Sequence, residues 1–154
     1  MVVEDLRSLR LTCKSIRFGY TSGVFDLFHH GHASYLEECR KLCDVLVVGV
    51  DADAMVRRNK EEGRPIQSAM DRLAKVSEMV EYCFLKEEPS IFYIEILRPS
   101  YHFFSSEKIL RPEHVSIISS VEGFVGLYTI PYVDGISTTE ILRLENGQVD
   151  QLKL

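Results

Sequence analysis

The run Asp44-Val45-Leu46-Val47-Val48-Gly49-Val50 limits the fold more than any other stretch, because it is almost continuously apolar. Strands that are buried on both faces of a parallel sheet have this composition. A short apolar run at 16–20 predicts a preceding strand over about 16–22, and residues 33–42 between the two strands carry apolar side chains at helical spacing. Strand, helix and strand in this order predict a right-handed βαβ unit.

Further helix and strand patterns follow along the chain. Ser68, with Asp71 three positions later, resembles a capping box and predicts a helix over 69–80. Prolines near the expected boundaries favour further helices at 89–97 and 111–120. Short apolar runs predict strands at 81–85, 101–104 and 124–130. Together these elements predict an α/β fold, a Rossmann-like open sheet of about five parallel strands with helices on both faces.

Length and composition predict one ordinary globular domain. The chain has 154 residues, so we expect a single domain over 1–154, with 1–15 as an N-terminal extension that forms a short helix or packs on a neighbouring subunit. A formal net charge of −5 argues against nucleic acid or an anionic membrane as a partner. No run approaches the roughly 20 apolar residues of a membrane span, and residues 1–17 do not read as a signal peptide. The four cysteines lack zinc-site spacing, so a reducing cytoplasm fits best.

The stretch Thr-Ser-Gly-Val-Phe-Asp-Leu-Phe-His-His-Gly-His, residues 21–32, joins the first strand to the first helix. First-turn N–H groups of a helix have no partner inside it, and the helix dipole there favours negative charge. His29 and His32 are three residues apart and can face one bound anion, so the stretch predicts a phosphate-binding turn. Two alternatives stay open. The pair can be ordinary surface or half-buried histidines, or it can bind zinc, for which no third Cys or His lies close in sequence.

Charged residues follow the second strand. Asp51 comes at the carboxyl end, where open α/β sheets bind ligands, but helix capping or turn formation explains Asp51 and Asp53 equally well. Residues 57–65 predict a charged loop with four cations, which by default is solvated. Arg72 is expected in the first turn of its helix, where a cation opposes the dipole. A bound phosphate would explain that position, and so would a surface pair with an acidic side chain.

The segment Asp-Gly-Ile-Ser-Thr-Thr-Glu-Ile-Leu, residues 134–142, places three hydroxyl residues at the predicted start of an amphipathic helix. A helix N-terminus of this kind suits phosphate oxygens. Capping by Ser137 or Thr138 explains the same pattern without a ligand.

In this order and spacing, over roughly residues 17–143, these motifs resemble the cytidylyltransferase-like nucleotidyltransferases. That family includes glycerol-3-phosphate and ethanolamine-phosphate cytidylyltransferases and the adenylyltransferase domain of heptose-phosphate synthases. The matching motifs are Gly-Val-Phe-Asp and His-x-Gly-His in the turn, Lys60 with Arg64-Pro65 in the loop, Asp71-Arg72 in the helix, and Gly-Ile-Ser-Thr-Thr at 135–139.

The resemblance implies transfer of a nucleotidyl group from CTP or ATP to a small phosphorylated polyol, sugar or amino-alcohol. The sequence of the Gly-Ile-Ser-Thr-Thr motif at 135–139 favours CTP. The resemblance also implies a homodimer, and Mg²⁺ held through phosphates with no protein side chain as a ligand.

By resemblance, the catalytic residues are His29, His32, Lys60 and Arg72. The residues expected at the nucleotide are Ser22, Gly23, Val24, Phe25, Asp26, Gly31, Asp51, Arg64, Gly135, Ile136, Ser137, Thr138 and Thr139. After the fourth strand many family members have a Lys-Gly or Met-Gly pair and then an Asp, where this chain has Phe-Phe-Ser-Ser-Glu at 103–107. That departure leaves open a non-catalytic nucleotide-binding module on the same fold.

Overall fold

The computed structural model describes residues 3–59, 66–105, 110–130, 140–145 and 148–153, with the backbone alone at 3, 57–59, 140–145 and 148–153. The helices are α1 Val3–Thr12, α2 His30–Lys41, α3 Asp53–Asn59, α4 Ala69–Ser77, α5 Ser90–Leu97 and α6 Pro112–Ser119. The strands are β1 Phe18–Gly23, β2 Val45–Asp51, β3 Tyr82–Lys86, β4 Tyr101–Ser105, β5 Gly126–Ile130, β6 Glu140–Glu145 and β7 Gln148–Lys153.

One sheet organises the molecule, in the strand order β3-β2-β1-β4-β5-β6-β7. The strands β1 to β5 pair with one another in parallel, which confirms the predicted parallel sheet of five strands. Strand order reverses between β1 and β4, since the chain first builds outwards through β2 and β3 and then crosses to the other side. Open α/β sheets bind ligands at the carboxyl ends of the strands beside such a switch point.

Helices cover both faces of the sheet, as predicted. On one face Leu36 of α2 and Val76 of α4 are fully buried in a core with β2. On the other face a second core contains Leu6 of α1, Leu97 of α5 and Ile118 of α6. Residues 1–15 therefore include a helix that packs on the core of its own chain. None of the described helices combines the length and the apolar composition that crossing a bilayer requires.

The charged loop predicted at 57–65 is wrong in its first part, because α3 continues to Asn59. Ala54, Met55 and the arginines that follow are good helix formers, and Asp53 in the first turn suits the helix dipole. The predicted cap of the next helix is confirmed, since Ser68 Oγ accepts a hydrogen bond from the Asp71 N–H at 3.2 Å. Residues 60–65, with Lys60 and Arg64, lie outside the described part of the chain.

The helix predicted after Thr139 is also wrong. Residues 140–145 form β6, which pairs antiparallel with β5 and with β7. The register joins Glu145 to Gln148, and the two residues between them in sequence are Asn146-Gly147. This dipeptide is the strongest short-range signal for a two-residue hairpin, and it outweighs the helical spacing of Ile141 and its neighbours. Residues 131–139, which contain the Gly-Ile-Ser-Thr-Thr motif, lie outside the described ranges.

Candidate active site

His29 and His32 cap the start of α2 reciprocally. The helix begins at His30, so His32 lies within its first turn and His29 is the N-cap, with an extended backbone at φ −133°. The Gly31 N–H donates to His29 Nδ1 at 3.0 Å, and the His29 N–H donates to His32 Nδ1 at 3.1 Å. The two ring centroids are 4.0 Å apart. Imidazole nitrogens thus replace the hydroxyl and carboxylate of an ordinary capping box.

These hydrogen bonds determine the tautomer of both rings. A nitrogen that accepts a hydrogen bond carries no proton, so each neutral imidazole of His29 and His32 has its N–H on Nε2. Two N–H donors beside a helix N-terminus suit an anion. In these tautomers Nδ1 already accepts a hydrogen bond and Nε2 carries the proton, so neither ring nitrogen has a lone pair available to a metal. Within the described ranges, no group of three or more His, Cys, Asp or Glu side chains is placed to hold a metal.

Aromatic side chains pack around the turn, and the backbone of the turn has an unusual conformation. His32 is 9% exposed and stacks on Phe28, with ring centroids 5.2 Å apart. Its ring also lies 5.6 Å from that of Phe25. Phe25 and Leu27 have φ values of 55° and 48°, a left-handed conformation that is uncommon for residues other than glycine. Backbone strain of this kind persists only where surrounding contacts enforce it.

The Asp26 carboxylate supplies some of those contacts. Its two oxygens accept hydrogen bonds from the Ile66 N–H at 2.8 Å and the Gln67 N–H at 3.0 Å. In return Gln67 Oε1 accepts from the Leu27 N–H at 2.9 Å. The turn is therefore joined to the segment that directly follows Arg64 and Pro65 in sequence. This geometry fits the expectation that Asp26 orients the turn rather than acting as an acid or base.

Arg72 joins four segments below the turn. It is fully buried, and its NH1 donates to the Val24 carbonyl at 2.8 Å and to the Asp51 carbonyl at 2.7 Å. Its NH2 pairs with Asp53 Oδ1 at 2.7 Å, and its Nε donates to the Gln67 carbonyl at 3.2 Å. A guanidinium has five N–H groups, and four of them are engaged here. The acidic partner that the sequence suggested is present, but Arg72 itself is buried rather than on the surface, while the Asp53 side chain is 34% exposed. A phosphate contact by Arg72 stays a prediction.

The other described candidates lie along the same edge. Gly23 ends β1 beside Val50, and Ser22 Oγ lies 3.2 Å from Ser90 Oγ at the start of α5. Asp51 ends β2 next to Lys86 at the end of β3. The structure thus gathers the following predicted residues at the carboxyl edge of β1 and β2: Ser22, Gly23, Val24, Phe25, Asp26, His29, Gly31, His32, Asp51 and Arg72.

Sequence reasoning missed three residues of this edge. Gln67 braces the turn, but a glutamine before a helix cap carries no signal of its own. Lys86 falls one position beyond the predicted strand 81–85, and a lysine that ends an apolar strand is a signal that could have found it. Ser90 accepts a hydrogen bond from the Tyr20 O–H at 3.0 Å, a contact across 70 residues of sequence.

Buried tyrosines in this region serve as neutral hydrogen-bonding groups. Burial raises the pKa of Tyr20 far above its ordinary value, and the hydrogen bond to Ser90 only partly opposes that. Burial likewise raises the pKa of Tyr35, whose hydroxyl lies 2.8 Å from Thr21 Oγ1. Both phenols therefore stay protonated near neutral pH.

Known proteins are similar to this chain in sequence. The profile of the cytidylyltransferase-like family matches residues 20–144. The bifunctional protein HldE of Pelobacter propionicus is 36% identical over 131 residues, which cover 82% of this chain and 26% of that protein. HldE of Helicobacter pylori is 41% identical over 101 residues, 63% of this chain and 22% of that protein. The chain spans about a quarter of the length of the curated relatives that it matches.

A solved structure has a similar fold. The lipopolysaccharide core biosynthesis protein from Thermoplasma volcanium superposes with a TM-score of 0.69 at 30% identity, covering 78% of this chain and 100% of that one. The matched residues, 20–144, include the histidine turn, Arg72 and most of the parallel sheet of this chain. The chain therefore belongs to the cytidylyltransferase-like family of nucleotidyltransferases.

Proposed function

We propose that this chain transfers an adenylyl group from ATP to the phosphate of a sugar phosphate, releasing pyrophosphate. The reciprocal capping of His29 and His32 at the start of α2 is the observation that carries the proposal. The sequence relatives named HldE and the structural neighbour of lipopolysaccharide core biosynthesis support a sugar acceptor. The resemblance to the adenylyltransferase domain of heptose-phosphate synthases supports ATP.

In the proposed reaction, an oxygen of the acceptor phosphate attacks the α-phosphorus of the nucleotide. The bond from that phosphorus to the oxygen bridging the β-phosphate breaks, and its electron pair leaves with pyrophosphate. A phosphate monoester is already anionic near neutral pH, so the nucleophile requires no general base. Catalysis then depends on alignment and on stabilising charge at the transferred group.

The described residues are suited to that work. The Nε2–H groups of His29 and His32 would donate to the α-phosphoryl oxygens, at a helix start whose dipole favours negative charge. Asp26 and Arg72 would hold the turn in position. Lys60, Arg64 and the motif at 135–139 are assigned to the phosphates by resemblance. Mg²⁺ would bind through the phosphates and neutralise part of their charge.

CTP is the second candidate nucleotide. The motif Gly-Ile-Ser-Thr-Thr at 135–139 is the form typical of the cytidylyltransferases. The relatives named HldE fit adenylyl transfer at least as well, so both nucleotides belong in the first assay.

Pyrophosphate release from the purified chain tests the proposal. Each of ATP, CTP, GTP and UTP is combined with Mg²⁺ and with a heptose phosphate, glycerol 3-phosphate or ethanolamine phosphate, and mass spectrometry identifies the product. We expect release with ATP and a sugar phosphate, and a product that contains both. Binding of nucleotide without release in any combination would favour the non-catalytic module. Light scattering on the same preparation would test the proposed homodimer.

A further inference from the structure

At the carboxyl edge of β2 and β3, Asp51 forms an ion pair with Lys86, a residue to which the proposed reaction assigns no role. Asp51 and Lys86 are the last residues of their strands and are neighbours in register. Lys86 Nζ lies 3.4 Å from Asp51 Oδ1. The Lys86 side chain is 8% exposed and that of Asp51 is 23% exposed, so the pair reaches solvent on the Asp51 side.

The two partners do not satisfy each other. An ammonium has three N–H donors, and in the described part of the chain Lys86 Nζ contacts only Asp51 Oδ1 and, at 4.0 Å, Met55 Sδ. Asp51 Oδ1 is buried and accepts no hydrogen bond from any described group. Desolvation offsets most of the attraction in a buried pair that is not fully hydrogen-bonded. The Lys86 ammonium and the Asp51 carboxylate can therefore each form further hydrogen bonds, and they lie side by side at the edge where ligands bind.

Hydroxyl groups lie on the same face of the sheet. A Cβ at Gly49 would lie 3.4 Å from Lys86 Cδ and 3.3 Å from Tyr20 Oη, so the lysine stem and the phenol flank one glycine of β2. Tyr20, Ser90 and Ser22 form a chain of hydroxyls with separations of 3.0 Å and 3.2 Å. A surface of this composition suits a ligand that both donates and accepts hydrogen bonds.

We propose that Asp51 and Lys86 together bind a hydroxyl group of a sugar. A hydroxyl can accept an N–H from Lys86 and donate its O–H to Asp51 at the same time. A phosphate monoester is mostly dianionic near neutral pH, so it seldom has a proton to donate, and the carboxylate repels it. The inference rests on the proposed function, which supplies two sugars with this chemistry: the ribose of the nucleotide and the sugar of the acceptor.

Binding of deoxy analogues, measured by calorimetry, tests the pair. The ligands are ATP, 2′-deoxyATP and 3′-deoxyATP in one arm, and a heptose phosphate with its monodeoxy analogues in the other. We expect the wild type to lose about 10- to 100-fold in affinity when the bound hydroxyl is removed, the range for a hydrogen bond to a charged group. In Lys86→Met that ratio falls to about 1. The arm in which the ratio changes identifies the sugar.

Matched variants separate ligand binding from a structural role. Lys75→Met removes an exposed lysine of α4 and is expected to keep the wild-type ratio. Lys86→Arg keeps the charge and the donors, so it is expected to keep part of the affinity ratio between parent ligand and deoxy analogue. Asp51→Asn provides the test if Lys86→Met does not fold. If the pair is merely structural, Lys86→Met and Asp51→Asn lower the melting temperature but leave the affinity ratio unchanged. That result would overturn the proposal.

The proposed function fails separately. If the wild type binds both ligands with hydroxyl discrimination but releases no pyrophosphate, the proposed reaction is wrong and the hydroxyl site is supported. If no analogue binds differently from its parent, or if neither ligand class binds, the hydroxyl site is wrong.

Discussion

The Asp26 carboxylate lies 2.8 Å from the backbone N–H of Ile66, a residue 40 positions later in the chain. The same carboxylate accepts the Gln67 N–H at 3.0 Å. The turn that carries the histidines is thereby fixed to the residues that precede α4.

We expect Asp26→Asn to lower both stability and kcat/KM. An amide retains one acceptor oxygen and presents an NH₂ group to the second backbone N–H, so one charge-assisted hydrogen bond is lost. Such bonds contribute about 1.5–3 kcal/mol each. Urea unfolding and steady-state kinetics measure the two effects. Asp71→Asn, at an exposed carboxylate of the same region, is the control, and equal behaviour of the two variants would contradict the role of Asp26.

His32→Ala should reduce turnover by at least ~100-fold and leave the fold intact, because one donor to a developing oxyanion is typically worth about 10²–10³ in rate. The loss of its bond to the His29 N–H should cost about 1 kcal/mol of stability. Pyrophosphate release and thermal unfolding measure the two quantities. His30→Ala is the matched control, since His30 is exposed and adjacent. A normal rate in His32→Ala would remove the proposed catalytic role.

Arg72→Lys should destabilise the protein by about 3 kcal/mol or more, because at least two buried acceptors lose their donor and each costs about 1–3 kcal/mol. Lysine keeps the charge but cannot place four donors on Val24, Asp51, Asp53 and Gln67 at once. Arg40→Lys, at a surface pair with Glu37, should change the free energy of unfolding by less than about 1 kcal/mol. If both variants unfold at the same urea concentration as the wild type, Arg72 is not the brace that the geometry indicates.

The free energy of unfolding should fall as pH rises from about 9 towards 11. Burial raises the pKa of Cys43 from its ordinary 9.0 to about 11, so the folded chain holds this proton where the unfolded chain has released it. The contribution is therefore complete below the unfolded pKa and is lost as pH passes through the folded one. Urea titrations at about pH 8 and about pH 10.5 measure the slope. Cys43→Ala should show a shallower slope, and an identical slope would contradict the assignment.

The predictable part of the fold came from local patterns. The unbroken apolar run of β2, between a helical pattern and a capped helix at Ser68, was enough to predict parallel strands with helices on both faces. The helical spacing after Thr139 predicts a helix, and that prediction is wrong, because residues 140–145 pair antiparallel with 148–153 on either side of Asn-Gly in sequence.

The candidate site also has a part that local sequence predicts and a part that only the tertiary structure reveals. The spacing of His29 and His32 in the amino-acid sequence determined that two imidazoles would meet at a helix start, because residues three apart on a first turn are neighbours whatever surrounds them. Only the tertiary structure decided that Arg72 would be fully buried and bonded to Val24, 48 residues away, and that Lys86 would stand beside Asp51. Such partners are brought together by strand order and register, and a local pattern of side chains carries no information about which distant backbone groups it will meet.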